Sequence, residues 1–210
     1  MEVLIQGDKL KELLNIIVSP YLLPLGLKWR GDYYWVGENE NGIRKVFHYV
    51  PSKGGMGCFS YGYCLDFIPL LSGNKLRYFR TEKGARELIS IRGDISEISQ
   101  WVKDDVKQSI VNAIKTDIKQ IEKHFKSVPS IEDVRKIAIK NMESGDQYFI
   151  YPSPFFVLAF IEAKIGNLDK GQELLEKYFS HSNEKENIRE MLISKLVDLK
   201  NLINTIFLYN

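Results

Sequence analysis

The sequence predicts an α+β fold: an N-terminal helix and an antiparallel β-meander of about four strands, followed by an all-helical C-terminal half. Three observations predict it. From Cys58 to Ile68 ring-bearing or large side chains alternate strictly with small or polar ones. In the two-residue period of a strand, Phe59, Tyr61, Tyr63, Leu65 and Phe67 fall on one face and Cys58, Ser60, Gly62, Cys64 and Asp66 on the other. Ten aromatic residues crowd between Trp29 and Phe67, the composition of a sheet. After Gly93 the apolar period changes from two to about 3.6, the period of helices.

The elements follow in order. Leu10, Leu13, Leu14 and Ile17 recur at spacings of three and four, which predicts a helix from Asp8 to Val18, stopped by Pro20. Pro24, Gly26 and the bend Arg30-Gly31-Asp32 lead into a short strand, Tyr33 to Val36. Asn41-Gly42 is a hairpin dipeptide before a second strand, Ile43 to Val50. Pro51 to Gly57 turns into the alternating third strand, and Leu76 to Arg80, beyond the turn Ser72-Gly73-Asn74, supplies the fourth. A stripe from Ile98 through Val102, Val106, Ile110 and Ile114 to Phe125 predicts one long helix, capped by Asp94 or Ser96. Ser130 caps the next, with Asp133 in its first turn, and Ser144-Gly145-Asp146 ends it. Three more helices are expected at about Pro154 to Ile165, Leu168 to Phe179 and Glu184 to Phe207, the first two joined by Gly166-Asn167. The charge divides with the period: thirteen basic and nine acidic residues through Gly93, sixteen and eighteen beyond it. The expected organisation is a mixed domain over residues 1–128 and a helical subdomain over 129–210.

A net charge of +2 gives the molecule no large field for nucleic acid or an anionic membrane, and 44% hydrophobic residues suit a chain with a packed core. Glu2, Asp8, Lys9, Lys11 and Glu12 interrupt the first dozen residues, so they lack the apolar run of a signal peptide. The apolar run Phe155 to Ile161 is far shorter than the roughly 20 residues of a membrane-spanning helix. Cys58 and Cys64 lie too far apart along one strand, at about 3.3 Å per residue, to join easily, which predicts two thiols. Together these features predict a cytoplasmic protein without a membrane partner.

No motif assigns a reaction. Lys53-Gly54-Gly55-Met56-Gly57 sits between strands with its lysine ahead of the glycines, unlike a phosphate-binding loop, and reads as a hairpin tip. His48, His124 and His181 have no second ligand at metal spacing, so no metal, cofactor or catalytic set is expected. His48 shares a strand face with Arg44 and Val46 and could approach Ser60, Cys64 or Asp66 as a nucleophile pair, depending on register. Arg-Gly-Asp at Arg30 and again at Arg92 reads as turn and cap chemistry. Ser153 to Phe179, with Ala159, Gly166, Gly171 and Leu175, looks loosely like one tetratricopeptide-type helix pair, but no second copy follows.

The run Ile17-x-x-Pro20 to Gly26-Leu27-Lys28, then Tyr33-Tyr34-Trp35, Val46 to Pro51-Ser52-Lys53 and Cys58-Phe59-Ser60-Tyr61-Gly62-Tyr63, resembles the uncharacterised bacterial domain-of-unknown-function 4304 family over roughly Asp8 to Arg92. Leu27, where that family has Phe, and Tyr61-Gly62-Tyr63 depart from its pattern. The resemblance implies an α+β fold and no established reaction. Small bacterial domains of this kind are suspected of acting as immunity proteins that bind and neutralise a toxin.

The leading expectation is therefore a protein-binding module, with a toxin as its partner if it is an immunity protein; an enzyme that uses His48 and Cys64 is the third and weaker reading. Trp35, Arg44, Tyr61 and Tyr63 are its candidate anchors, because aromatic and arginine side chains dominate interface energetics. The alternative is a nucleic-acid-associated module that stacks bases on the aromatic sheet and uses the local excess of six basic over two acidic residues between Lys75 and Arg92. Against both stands the plainer reading that the ring face is the core of the sheet.

Overall fold

The computed structural model describes residues 3–72, 75–91, 97–126, 129–144, 152–183 and 185–208; for residues 103 and 200–208 only the backbone is described. It is an α+β fold whose chain divides into two compact units, Met1–Cys64 with Arg80–Val128 and Leu65–Phe79 with Pro129–Asn210. The hairpin segment Leu65–Phe79 thus groups with the helices beyond Val128.

In the first unit, α1 (Gly7–Leu22) precedes strands β1 (Lys28–Trp29), β2 (Tyr34–Glu40), β3 (Ile43–Ser52) and β4 (Met56–Leu65). They form an antiparallel meander in the order β1-β2-β3-β4, in which the unpredicted Lys28–Trp29 makes the fourth strand and Leu76 to Arg80, expected in that role, takes no part. Pro20 lies inside α1 and does not stop it. Proline has no N–H for the carbonyl of Ile16, but Ile16 is 62% exposed, so water can take that bond. At the β2–β3 turn Asn41 (φ 54°) and Gly42 (φ 85°) both adopt the left-handed backbone that the tightest hairpin turns require. Trp35 pairs with Phe47 and Tyr34 with His48 across β2 and β3, which puts Trp35 and Phe47 on one face and Tyr34 and His48 on the other.

That ring face is the core. Trp35, Phe47, Tyr49, Phe59, Tyr61 and Tyr63 are buried with Leu10, Leu14, Val18 and Leu22 of α1. The far side is closed by a later helix, whose Phe125 meets the rings of Tyr61 and Tyr63 at 5.9 and 5.8 Å between centroids.

The segment leading to that helix corrects the expected long stripe. Ile98 and Ser99 form a strand paired with β4, Val102–Asp104 is a 3-10 turn, and the helix spans only Val106–Phe125. Asp105 (φ 49°) breaks the run and caps the helix by accepting the Gln108 N–H. The stripe misleads because Ile98 is buried by the sheet, and any buried apolar residue can fall into a helical period. The proposed caps Asp94 and Ser96 lie outside the described residues. Ile89–Ser90 adds a further short strand on β4.

In the second unit Leu76 to Arg80 does not extend the meander. β5 (Pro69–Ser72) and β6 (Lys75–Tyr78) make a separate two-stranded sheet, and Ile89–Ser90 and Ile98–Ser99 of the first unit are β7 and β8. The helix at Val106–Phe125 is α2, followed by α3 (Ile131–Glu143), α4 (Pro154–Lys164), α5 (Leu168–Ser180) and α6 (Glu186–Leu208). Ser130 caps α3 as expected, and Asp133 in the first turn returns the bond to complete a reciprocal capping box; Gly145 and Asp146 of its expected end lie outside the described residues. Almost every residue of α4 is buried, so it is the central helix, contacted by α3, α5 and α6. A Cβ on Gly171 would stand 2.8 Å from the Ala159 carbonyl oxygen, so the small pair anticipated in the α4–α5 hairpin sets its close approach.

Candidate functional site

The four anchors named from the sequence are all interior. Trp35 is 0%, Tyr63 1%, Tyr61 4% and Arg44 6% exposed. The Trp35 indole N–H donates to Ser19 Oγ at 2.8 Å on α1, and Arg44 donates to the Gly37 carbonyl at 2.8 Å. The Tyr61 and Tyr63 hydroxyls reach Gln120 Oε1 and the His124 carbonyl of α2. Burial, with the charges of Asp117 and Glu87 adding to it, pushes the Tyr61 hydroxyl up to about 12. In this conformation none of the four offers a surface to a partner, and the rings cannot stack on bases, because alternation tells which residues share a face but not that α1 and α2 cover it.

The opposite sheet face carries a polar cluster. Glu87 Oε2 accepts the Ser60 hydroxyl at 2.8 Å and meets His48 Nε2 at 2.6 Å. A Cβ on Gly62 would run into the Ile89 carbonyl oxygen of β7 and lie 2.7 Å from Glu87 Oε1, so this glycine first admits the neighbouring strand's backbone and then the carboxylate. His48 stacks on Tyr34 at 4.6 Å, and the Arg30 guanidinium covers the other side of that ring at 4.2 Å. Arg30 also chelates Asp32 and donates to the Ala85 carbonyl, so this Arg-Gly-Asp closes on itself as a turn; the second begins at Arg92, outside the described residues. His48 and Ser60 are thus brought together as foreseen, but through a shared carboxylate. The Ser60 hydroxyl donates to Glu87, not to the imidazole, and the shared carboxylate fastens the Arg80–Ile91 segment to the sheet.

A cleft of about 580 Å³ opens at the end of this unit, lined by Leu4, Gln6, Gly7, Leu10, Tyr33, Pro51, Ser52, Gly54, Gly55, Gln100 and Trp101. Its volume is that of a typical ligand pocket, and none of these residues carries a charge. The glycine-rich tip builds one wall. The Gly54 carbonyl accepts the Trp101 indole N–H at 2.9 Å and the Gly55 carbonyl the Gln100 N–H at 2.8 Å, so the loop's carbonyls are engaged in the wall. Gln100 is 5% exposed; its amide donates to the Tyr49 hydroxyl and the Met56 carbonyl, which fixes the floor. Burial raises the Tyr49 hydroxyl above its ordinary range. Val3 and Val102, next in sequence to lining residues, are 58% and 52% exposed.

The sequence missed Trp101 and Gln100 because they fell inside the presumed helix. The signal that could have found them is Asp104-Asp105 directly before Val106, an N-terminal cap that places Trp101 outside α2. Among the described residues no cluster of three or more His, Cys, Asp or Glu could hold a metal, and no helix is long and apolar enough to cross a membrane.

No family model matches the chain, and neither a curated protein nor a solved structure matches it.

Proposed function

We propose that the chain is a protein-binding module, cytoplasmic, whose recognition surface is the uncharged cleft around Trp101 and Tyr33. The observation that carries this reading is the cleft itself: about 580 Å³ walled by two aromatic rings, Leu4, Leu10 and Pro51, beside exposed Val3 and Val102. A tryptophan in the wall of a neutral, partly apolar depression has the character of an interface anchor. An uncharged wall suits an uncharged segment of another protein. Neutralisation of a toxin, the role suspected for small bacterial domains such as the one residues 8–92 resemble, is the specific form of this proposal.

The test is calorimetric titration of the purified chain with the products of the genes flanking its own, followed by growth rescue where one of them is toxic. Binding that weakens at least about tenfold in Trp101→Ala, roughly 1.4 kcal/mol, supports the cleft. Failure of every flanking product to bind, or binding indifferent to Trp101→Ala in a variant of unchanged melting temperature, removes the support.

A further inference from the structure

We propose that the cleft takes its partner by strand addition: an extended, uncharged polypeptide segment pairs its main chain with Leu4 at the free edge of the Val3–Ile5 ribbon. This rests on the protein-binding reading and says how the partner docks.

The hydrogen-bond pattern carries it. Val3 to Ile5 runs antiparallel to Gln100 to Val102: the Ile5 N–H donates to the Gln100 carbonyl at 2.9 Å and the Val102 N–H to the Val3 carbonyl at 3.0 Å, with Leu4 bridged to Trp101 between them. In this arrangement Leu4 and Trp101 are a non-hydrogen-bonded pair, so the N–H and C=O of Leu4 both point away from Trp101, toward the outer edge. Among the described residues no backbone group pairs with them. A paired N–H and C=O at strand spacing on an open edge are complementary to one thing, the main chain of another strand.

The side chains agree. Leu4 lines the cleft, and a residue paired beside it would share its face and border the same depression. The neighbouring Val3 exposes apolar surface that an added strand would shield. With no charge on the lining, the side chain presented there is apolar or neutral. A second copy of this chain could pair through the same edge, but a ribbon of three residues offers far less than the roughly 1,200 Å² of a stable interface and would leave the cleft unfilled.

The probe is a displayed library of random twelve-residue peptides selected on the full chain, read by hydrogen exchange at the Leu4 amide and by affinity. Uncharged, alternating peptides that slow Leu4 exchange at least about tenfold, and that bind about tenfold more weakly to Leu4→Pro, support strand addition; one hydrogen bond in a dry site is worth about that factor. The exchange measurement on the unmodified chain decides the matter if Leu4→Pro does not fold. Peptides whose binding falls in Trp101→Ala but leaves Leu4 exchange unchanged overturn strand addition while the protein-binding reading stands. Concentration-dependent dimers that protect Leu4 without peptide overturn it in favour of a second copy. Selection of no peptide also overturns it, and binding of the flanking gene products then judges the broader reading separately.

Discussion

Gly54 and Gly55 offer a controlled test of whether the hairpin tip is a packed wall. Both have left-handed backbone, φ 79° and 73°. A Cβ on Gly54 would meet nothing within 4 Å, whereas one on Gly55 would stand 2.4 Å from Leu4 Cδ2 and 3.0 Å from Trp101 Nε1. Alanine at either position pays the same backbone penalty, about 1–2 kcal/mol, offset by about 0.4–1 kcal/mol from the stiffer unfolded chain. Gly54→Ala is therefore expected to cost about 1 kcal/mol. Gly55→Ala adds overpacking of about 1–3 kcal/mol; because a leucine methyl can swing aside, the lower half of that range applies, for a total of about 2–3 kcal/mol. Denaturant unfolding followed by circular dichroism measures both, and Gly55→Ala should also shift the tryptophan emission. Costs equal within about 0.5 kcal/mol would mean that the tip does not pack on Leu4 and Trp101, and would refute the cleft wall as described.

Two further outcomes follow from buried polar groups. Glu162, its side chain 3% exposed, accepts Arg135 Nε at 2.7 Å and Asn167 Nδ2 at 2.9 Å, while Arg135 is 28% exposed and also reaches Glu132. Arg135→Ala should cost about 2–3 kcal/mol in urea, below the 3–5 of a fully buried pair because water reaches the arginine, and Glu132→Ala under about 0.5; equal losses would show that Glu162 is not the stranded charge. Tyr61 should stay protonated until about pH 12 in the folded chain, while its unfolded value is 10.0. The folded state then holds the proton more tightly, so stability falls as pH rises from 10 towards 12. Tyr61→Phe should flatten that slope and, losing only a 3.4 Å contact to Gln120, change neutral stability by less than about 1 kcal/mol; an unchanged alkaline slope would assign it to another group.

Much of the fold was legible because its signals are local. Asn41-Gly42 demands a tight hairpin, Ser130 marks a helix N-cap, and Gly166-Asn167 parts two helices, each from neighbouring residues. Two elements were read wrongly where local and tertiary signals compete. Ile98 and Val102 continue the α2 stripe in sequence, yet β4 captures Ile98 as a strand neighbour. Leu76 to Tyr78 has strand character but finds its partner in Pro69–Ser72. The site was largely hidden for a different reason. Leu4, Tyr33, Gly55 and Trp101 come from four separate stretches, so no spacing announces them, and the conspicuous rings of Trp35, Tyr61 and Tyr63 were claimed by the core.

The grouping of Leu65–Phe79 with Pro129–Asn210 has a practical consequence for dissecting the gene. The chain leaves its first unit after Cys64, returns at Arg80 and departs again after Val128, so neither unit is one continuous stretch. A truncation ending at residue 128 would carry the β5–β6 hairpin without its helices, and its complement would carry the helices without the hairpin. Expressing the halves separately strips each of part of itself.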